Sequence, residues 1–177
     1  APAQAAPKLE RLLYLESQQV DADNRAGTLH TPGAGKILIV DQRENPHPEE
    51  GETGFGRGAG RGRTLISWRD SMSMDRATQT MKIGGGVNLL NLRQPDNQKT
   101  QLDCDRLTAI LASSSRPSGL DSMTELKGEL SRAIADGHAR LSSGTKELLG
   151  EIIDYNAAEG VATAGSGDGS MVTLIDR

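Results

Sequence analysis

Apolar and polar positions alternate with a period of two through most of the chain, in LLYLESQQVDAD (Leu12 to Asp23), KILIVD (Lys36 to Asp41), TLISWRDSMSM (Thr64 to Met74), VNLLNL (Val87 to Leu92), ELLGEIIDY (Glu147 to Tyr155) and SMVTLID (Ser170 to Asp176). Alternation of this kind puts every second side chain on one face of an extended strand. QLDCDRLTAILA (Gln101 to Ala112) and SRAIADGHARLSS (Ser131 to Ser143) read as further strands, the second with a turn at Asp136-Gly137. Two stretches carry a competing pattern. Leu120, Met123, Leu126, Leu130 and Ile134 fall at three- and four-residue spacing, so GLDSMTELKGELSRAI also fits an amphipathic helix, and APKLERLLYLES fits a short one. Strand is the expectation for both.

Three segments superpose without gaps: NRAGTLHTPGAG (Asn24 to Gly35), DRATQTMKIGGG (Asp75 to Gly86) and NAAEGVATAGSG (Asn156 to Gly167). They share an Asx position, an Ala two residues on (Ala26, Ala77, Ala158) and two glycines (Gly33, Gly84, Gly165; Gly35, Gly86, Gly167). Asx followed by small residues is hairpin chemistry. The repeat therefore reads as strand, tight turn, strand, Gly-Xaa-Gly break, strand. Two inserts rich in Gly, Pro, Ser and charge, at 42–63 and 113–124, read as long mobile loops within a domain spanning 12–177, with 1–11 as an N-terminal linker. The chain starts at Ala1 and stops in alternation without a closing segment, so a longer parent chain is expected.

Composition changes the picture from a globule to something elongated. Leu, Ile, Val and Phe make up about a fifth of the chain, beside 21 glycines and only four aromatic residues. A net charge of -4 is too mild to prevent collapse. A twisted sheet or stacked array folds with fewer large side chains than a compact body, because each unit covers only its neighbour. The acidic balance also argues against a general nucleic-acid binder. One cysteine, Cys104, rules out an intrachain disulfide and a cysteine-rich zinc site.

The succession of Asp-Arg-Leu (Asp105 to Leu107), Ala-Asp-Gly-His-Ala-Arg-Leu (Ala135 to Leu141) and Gly-Glu-Ile-Ile-Asp-Tyr-Asn-Ala-Ala-Glu-Gly (Gly150 to Gly160) resembles the OstA-like repeat of the LptA family, which includes LptC and the LptD N-terminal domain. The likeness covers 102–111 and 130–176, and more weakly 12–41 and 64–92. It implies an all-β, elongated, twisted antiparallel β-jellyroll with a V-shaped cross-section and long inserted loops. It also implies a periplasmic or cell-envelope setting and an apolar interior that holds acyl chains of a lipopolysaccharide-like lipid. Copies of such domains stack by their strand edges. The Gly/Arg loop, Trp68 and the pair Met72 and Met74 depart from the family's pattern.

By parity, Ile37 and Ile39, Val87 and Leu89, and Val172 and Leu174 share a face of their strands and are the expected lipid-binding groove. The same six also suit an ordinary core closed by a second sheet. Arg57, Arg61 and Arg63 in GFGRGAGRGR suit contact with an anionic head group, or a solvated loop, or RNA, although nucleic acid is not the expected partner. Catalytic residues are expected to be none. His30, His47 and His138 are scattered, no serine sits in a nucleophile elbow, and PGAGK lacks the first glycine and the hydroxyl residue of a phosphate loop. Asp21/Asp23 and Asp103/Asp105 place paired carboxylates on one strand face, which fits calcium or plain solvent exposure, and GSGDGS lacks a calcium loop's ligand ladder. No metal or cofactor is expected. The function expected is non-enzymatic binding or transport of an amphipathic lipid. The alternative is a structural repeat protein that self-assembles through strand edges, at Leu12 to Asp23 and Met171 to Asp176, into a surface or extracellular scaffold or filament.

Overall fold

A computed structural model describes residues 11–42, 62–94, 97–111, 130–156, 161–167, 169 and 171–176. These contain twelve strands and no helix: β1 (Arg11–Ser17), β2 (Asp21–Asp23), β3 (Thr28–Pro32), β4 (Gly35–Asp41), β5 (Gly62–Trp68), β6 (Ser71–Asp75), β7 (Thr80–Arg93), β8 (Gln98–Leu111), β9 (Leu130–Ser143), β10 (Lys146–Asn156), β11 (Val161–Gly165) and β12 (Thr173–Asp176). All pair antiparallel in one open sheet, in the path β1-β4-β5-β7-β8-β9-β10-β11; β2, β3 and β6 join beside β7, and β12 joins beside β10.

Four long strands hold the sheet together, and each bends at the same level. The register shifts between Gly84 and Val87 on β7, between Asp103 and Arg106 on β8, and between Gly150 and Ile152 on β10. Gly85 and Gly86 on β7, and Gly137 and His138 on β9, are the doubled positions; all four have positive φ, between 48° and 87°. A bulge bends its strand and sharpens the local twist. The aligned bulges on β7 and β9, each facing a single residue on β8 or β10, therefore fold the sheet along one crease into two arms. One arm runs β1-β4-β5 and onward through one half of β7 to β10 to end at β12. The other runs β2-β3-β6 and onward through the other half to end at β11. Buried residues of both arms, among them Ile37, Ile66, Trp68, Met72, Ile83, Leu107 and Ile153, form a single cluster, so the arms face each other across it.

The crease corrects one expectation. Asp136-Gly137 is not a turn, because β9 continues through it and Gly137 supplies the bulge. A Cβ at Gly137 would lie 2.4 Å from Asp105 Oδ2, so the Asp105 side chain occupies that space. The expected Gly-Xaa-Gly break differs likewise among the copies. It is a corner at Gly33, a bulge inside the single strand β7, and a true gap only between β11 and β12.

The repeat itself is visible with one shift. Asp75 Oδ1 accepts hydrogen bonds from the backbone N–H groups of Ala77 (2.8 Å) and Thr78 (3.3 Å), and Asp23 Oδ1 does the same for Arg25 (2.8 Å) and Ala26 (3.0 Å). Asp23, not Asn24, is thus the counterpart of Asp75, and Gly33 (φ 79°) that of Gly85 (φ 87°). Asn156 pairs with Val161 as Asp75 pairs with Thr80, so the second and third copies keep the gap-free match.

Strand is the outcome where helix competed, for Arg11–Ser17 and from Leu130 onward; residues 6–10 and 119–129 lie outside the described residues. β1 starts one residue inside the stretch expected as linker. Gly62 and Arg63, expected in the first insert, pair with Asp41 and Val40 as part of β5.

Candidate functional site

The inner face is built in tiers that run across the strands. Nearest the crease in the first arm lie Trp68, Val87, Cys104 and Ala139, all buried. Trp68 packs on Gly35, its register partner, and its Nε1–H donates to the Gly33 carbonyl at 3.0 Å. Burial pushes the Cys104 thiol up to about 12, so it behaves as a small apolar filler. The next tier is a ladder of cross-strand neighbours: Leu15, Ile37, Ile66, Leu89, Leu102, Leu141, Leu148 and Leu174. Ile37, Ile66 and Leu102 are closed off, whereas Leu15, Leu89, Leu141 and Leu148 are half-buried.

Farther from the crease the chemistry changes. Leu13 and Ile39 are followed along the same tier by Thr64, Asn91, Thr100 and Ser143, which bond to one another across strands. Asn91 Nδ2 donates to Thr64 Oγ1 (2.8 Å), and the Thr100 and Ser143 hydroxyls lie 3.1 Å apart. Beyond them Arg93 Nη2 donates to Gln98 Oε1 at 2.6 Å. The inner face therefore grades from apolar floor through neutral polar groups to Arg93 at its rim.

The opposing arm is lined differently. Its deep tier is Thr31, Met72, Ile83, Leu107, Ala135, Ile153 and Ala164, and its outer tier Leu29, Met74, Met81, Ala109, Ala133, Tyr155 and Ala162. Met74, Met81 and Leu29 are half-buried. Alanines on β8 and β9 keep this wall shallow, and methionines are flexible enough to mould to an irregular apolar guest.

Of the residues expected to line a groove, Ile37, Ile39, Val87 and Leu89 share this inner face; Ile37 and Val87 are buried in the floor, and Ile39 and Leu89 stand half-open above it. Leu174 continues the ladder opposite Leu148 but at the sheet's margin it is 71% exposed. Val172 precedes β12 and is exposed. Arg57 and Arg61 lie outside the described residues. Arg63 is exposed and shares the outward parity of Leu65, not the inward parity of Thr64 and Ile66. Arg93 was missed by sequence reasoning, although its parity with Leu89 and Asn91 could have placed it.

The remaining candidate chemistry has local partners. Asp21 accepts from Gln19 and Asp103 from Asn88 and Gln101, while Asp105 bonds His138 Nδ1 at 2.9 Å. That bond, with the charges of Asp105 and Glu151, raises the His138 pKa. The paired carboxylates thus serve separate turns and bulges. Among the described residues no group of three or more acidic, His or Cys side chains is placed to hold a metal, and no helix is long and apolar enough to cross a membrane.

No protein-family model and no curated protein matches the chain. Among solved structures it is similar to LptH of Pseudomonas aeruginosa, the LptA-homologous periplasmic component of the lipopolysaccharide transport device. The TM-score is 0.57 at 11% identity, over 94% of this chain and 95% of that one. At that identity the likeness establishes the fold: an all-β, LptA-like jellyroll made from one open antiparallel sheet.

Proposed function

We propose that the protein is a non-catalytic component of the cell envelope, working in the periplasm, that binds an amphipathic lipid of the lipopolysaccharide type between its two arms. The observation that carries this reading is the grading of the inner face. Acyl chains meet Leu15, Leu89, Leu141, Leu148, Met74 and Met81, and an anionic head group meets Thr64, Asn91, Thr100, Ser143 and Arg93. Each methylene removed from water contributes about 0.8 kcal/mol, so a few contacts along a nonspecific apolar wall suffice to retain a chain. LptH, which shares the fold, is a lipopolysaccharide transport component, and that supports the choice of ligand.

Self-assembly through strand edges is the second reading, favoured by the sheet's margins. Among the described residues β1 pairs only with β4 and β12 only with β10, and the segment around β12 exposes Met171, Val172 and Leu174. Unpaired edges accept another copy's strand, and the two readings combine in a stacked carrier.

Native mass spectrometry of the purified chain, with organic extraction of what travels with it, separates them. Lipid adducts that vanish in Ile39→Asp, with the strand content retained, support the carrier; adducts unchanged in that variant refute the groove. A ladder of ligand-free oligomers that collapses on deletion of 171–177 supports the scaffold instead.

A further inference from the structure

The first arm is apolar on its outer face as well. Tyr14, Leu38, Leu65 and Leu90 are successive register partners across β1, β4, β5 and β7, and Leu12, Val40, Arg63, Leu92 and Lys99 form the neighbouring tier. All point away from the inner face, since they alternate with Leu13, Ile39, Ile66, Leu89 and Asn91. Tyr14 is 48%, Leu12 43%, Leu92 40% and Leu65 36% exposed. Isolated exposed apolar side chains are ordinary, but two adjoining tiers across four strands make a patch of the kind that marks a binding surface.

The charges in and beside this patch identify what it fits. Arg63 and Lys99 are exposed, and neither has an ion-pair partner among the described residues. The acidic groups on the same face are already engaged: Glu16 with Lys36 (3.0 Å) and Tyr14, Asp103 with Asn88 and Gln101, and Glu147 with Arg140. The patch therefore offers apolar surface, a tyrosine with a polar tip and unneutralised cations. A second copy is disfavoured as occupant, because a two-fold contact through this face brings the Arg63 and Lys99 of both copies together. Apolar groups interleaved with Arg and Lys, and an amphipathic aromatic ring, are the chemistry of an anionic bilayer surface.

We infer that the outer face of the β1-β4-β5-β7 arm is a membrane-docking surface that lays Leu12, Tyr14, Leu65 and Leu92 into an anionic leaflet, with Arg63 and Lys99 on its phosphates. The site is separate from the groove, on the opposite side of the same strands. It acts against the chain's net charge of -4, so docking depends on this local patch.

Flotation with phosphatidylcholine vesicles, with and without phosphatidylglycerol, tests the assignment on the full chain. Binding is expected only to the anionic vesicles and falls with added salt. Arg63→Ser with Lys99→Ser lowers the partition coefficient about fivefold per cation removed, and Leu12→Ser with Leu92→Ser lowers it by at least as much, both with an unchanged thermal midpoint. Ile39→Asp, which blocks the groove, leaves flotation intact. The assignment is overturned if the parent chain stays with the unbound fraction, if both double variants float as it does, if Ile39→Asp alone abolishes binding, or if Leu12→Ser with Leu92→Ser instead dissolves a dimer seen by sedimentation.

Discussion

Gly35 is the position where the floor tolerates least. It faces Trp68 across β4 and β5, and a Cβ there would sit 2.5 Å from Trp68 Cζ2, 2.9 Å from Cε2 and 2.9 Å from the Glu16 carbonyl oxygen. Neither neighbour can give way cheaply. The indole is 3% exposed and pinned by its 3.0 Å bond to Gly33, and the carbonyl belongs to β1. Overpacking of this kind costs about 1–3 kcal/mol, against which the smaller backbone entropy of alanine returns about 0.5–1 kcal/mol. At about 2–4 °C per kcal/mol for a chain of this size, Gly35→Ala should melt several degrees below the parent. Gly84→Ala is the matched contrast, because it lies in β7 without a positive φ, and an added methyl there would meet nothing within 4 Å. It should melt at or slightly above the parent. Thermal denaturation followed by circular dichroism reads both. Gly35→Ala melting no lower than the parent, or no lower than Gly84→Ala, would refute the claim that Trp68 is wedged on that glycine.

Two further predictions concern the crease and its filler. The His138 pKa is raised above the ordinary 6.5, first by its hydrogen bond to Asp105, so the contact contributes stability that is complete below 6.5 and is lost as pH rises through the raised value. An NMR titration should show His138 ionising above the ordinary 6.5 in the parent and lower in Asp105→Asn; a parent value at or below 6.5, or one unchanged in Asp105→Asn, would contradict the contact. Cys104, its thiol pushed up to about 12 by burial, should resist a thiol-reactive disulfide reagent in the native chain and react fully once unfolded; native labelling as fast as that of the unfolded chain would contradict its burial.

Much of this was legible in the sequence because its signals are local. The period-two runs gave strands at KILIVD, TLISW and ELLGEIIDY, and Asx with small residues gave the hairpins, read as starting at Asn24 and Asp75. The offset of the first copy was hidden because Asp23 and Asn24 are both Asx, and only the hydrogen bonds tell which one caps the turn. Gly137 read as a turn because glycine with positive φ serves a turn and a bulge alike, and the difference lies in whether the flanking residues keep a common partner strand. The outer patch was hidden for another reason. In LLYL, ILIV and NLLNL both parities are apolar, and parity arguments then name an inner face without saying that the outer one is left uncovered. Arg63 fell on that outer face because β5 starts earlier than the Gly/Arg composition suggested.

Trp68 gives the most direct test of a lipid between the arms, since it is the chain's single tryptophan and lies buried on the inner face beside the half-open leucine ladder. The measurement is its fluorescence during titration with a lipopolysaccharide-like amphiphile carrying brominated acyl chains, which quench indole only at close range. A lipid held between the arms gives saturable quenching that Ile39→Asp removes, with little quenching by a water-soluble quencher. Fluorescence unchanged by the brominated amphiphile, or quenched equally in Ile39→Asp, would contradict that placement.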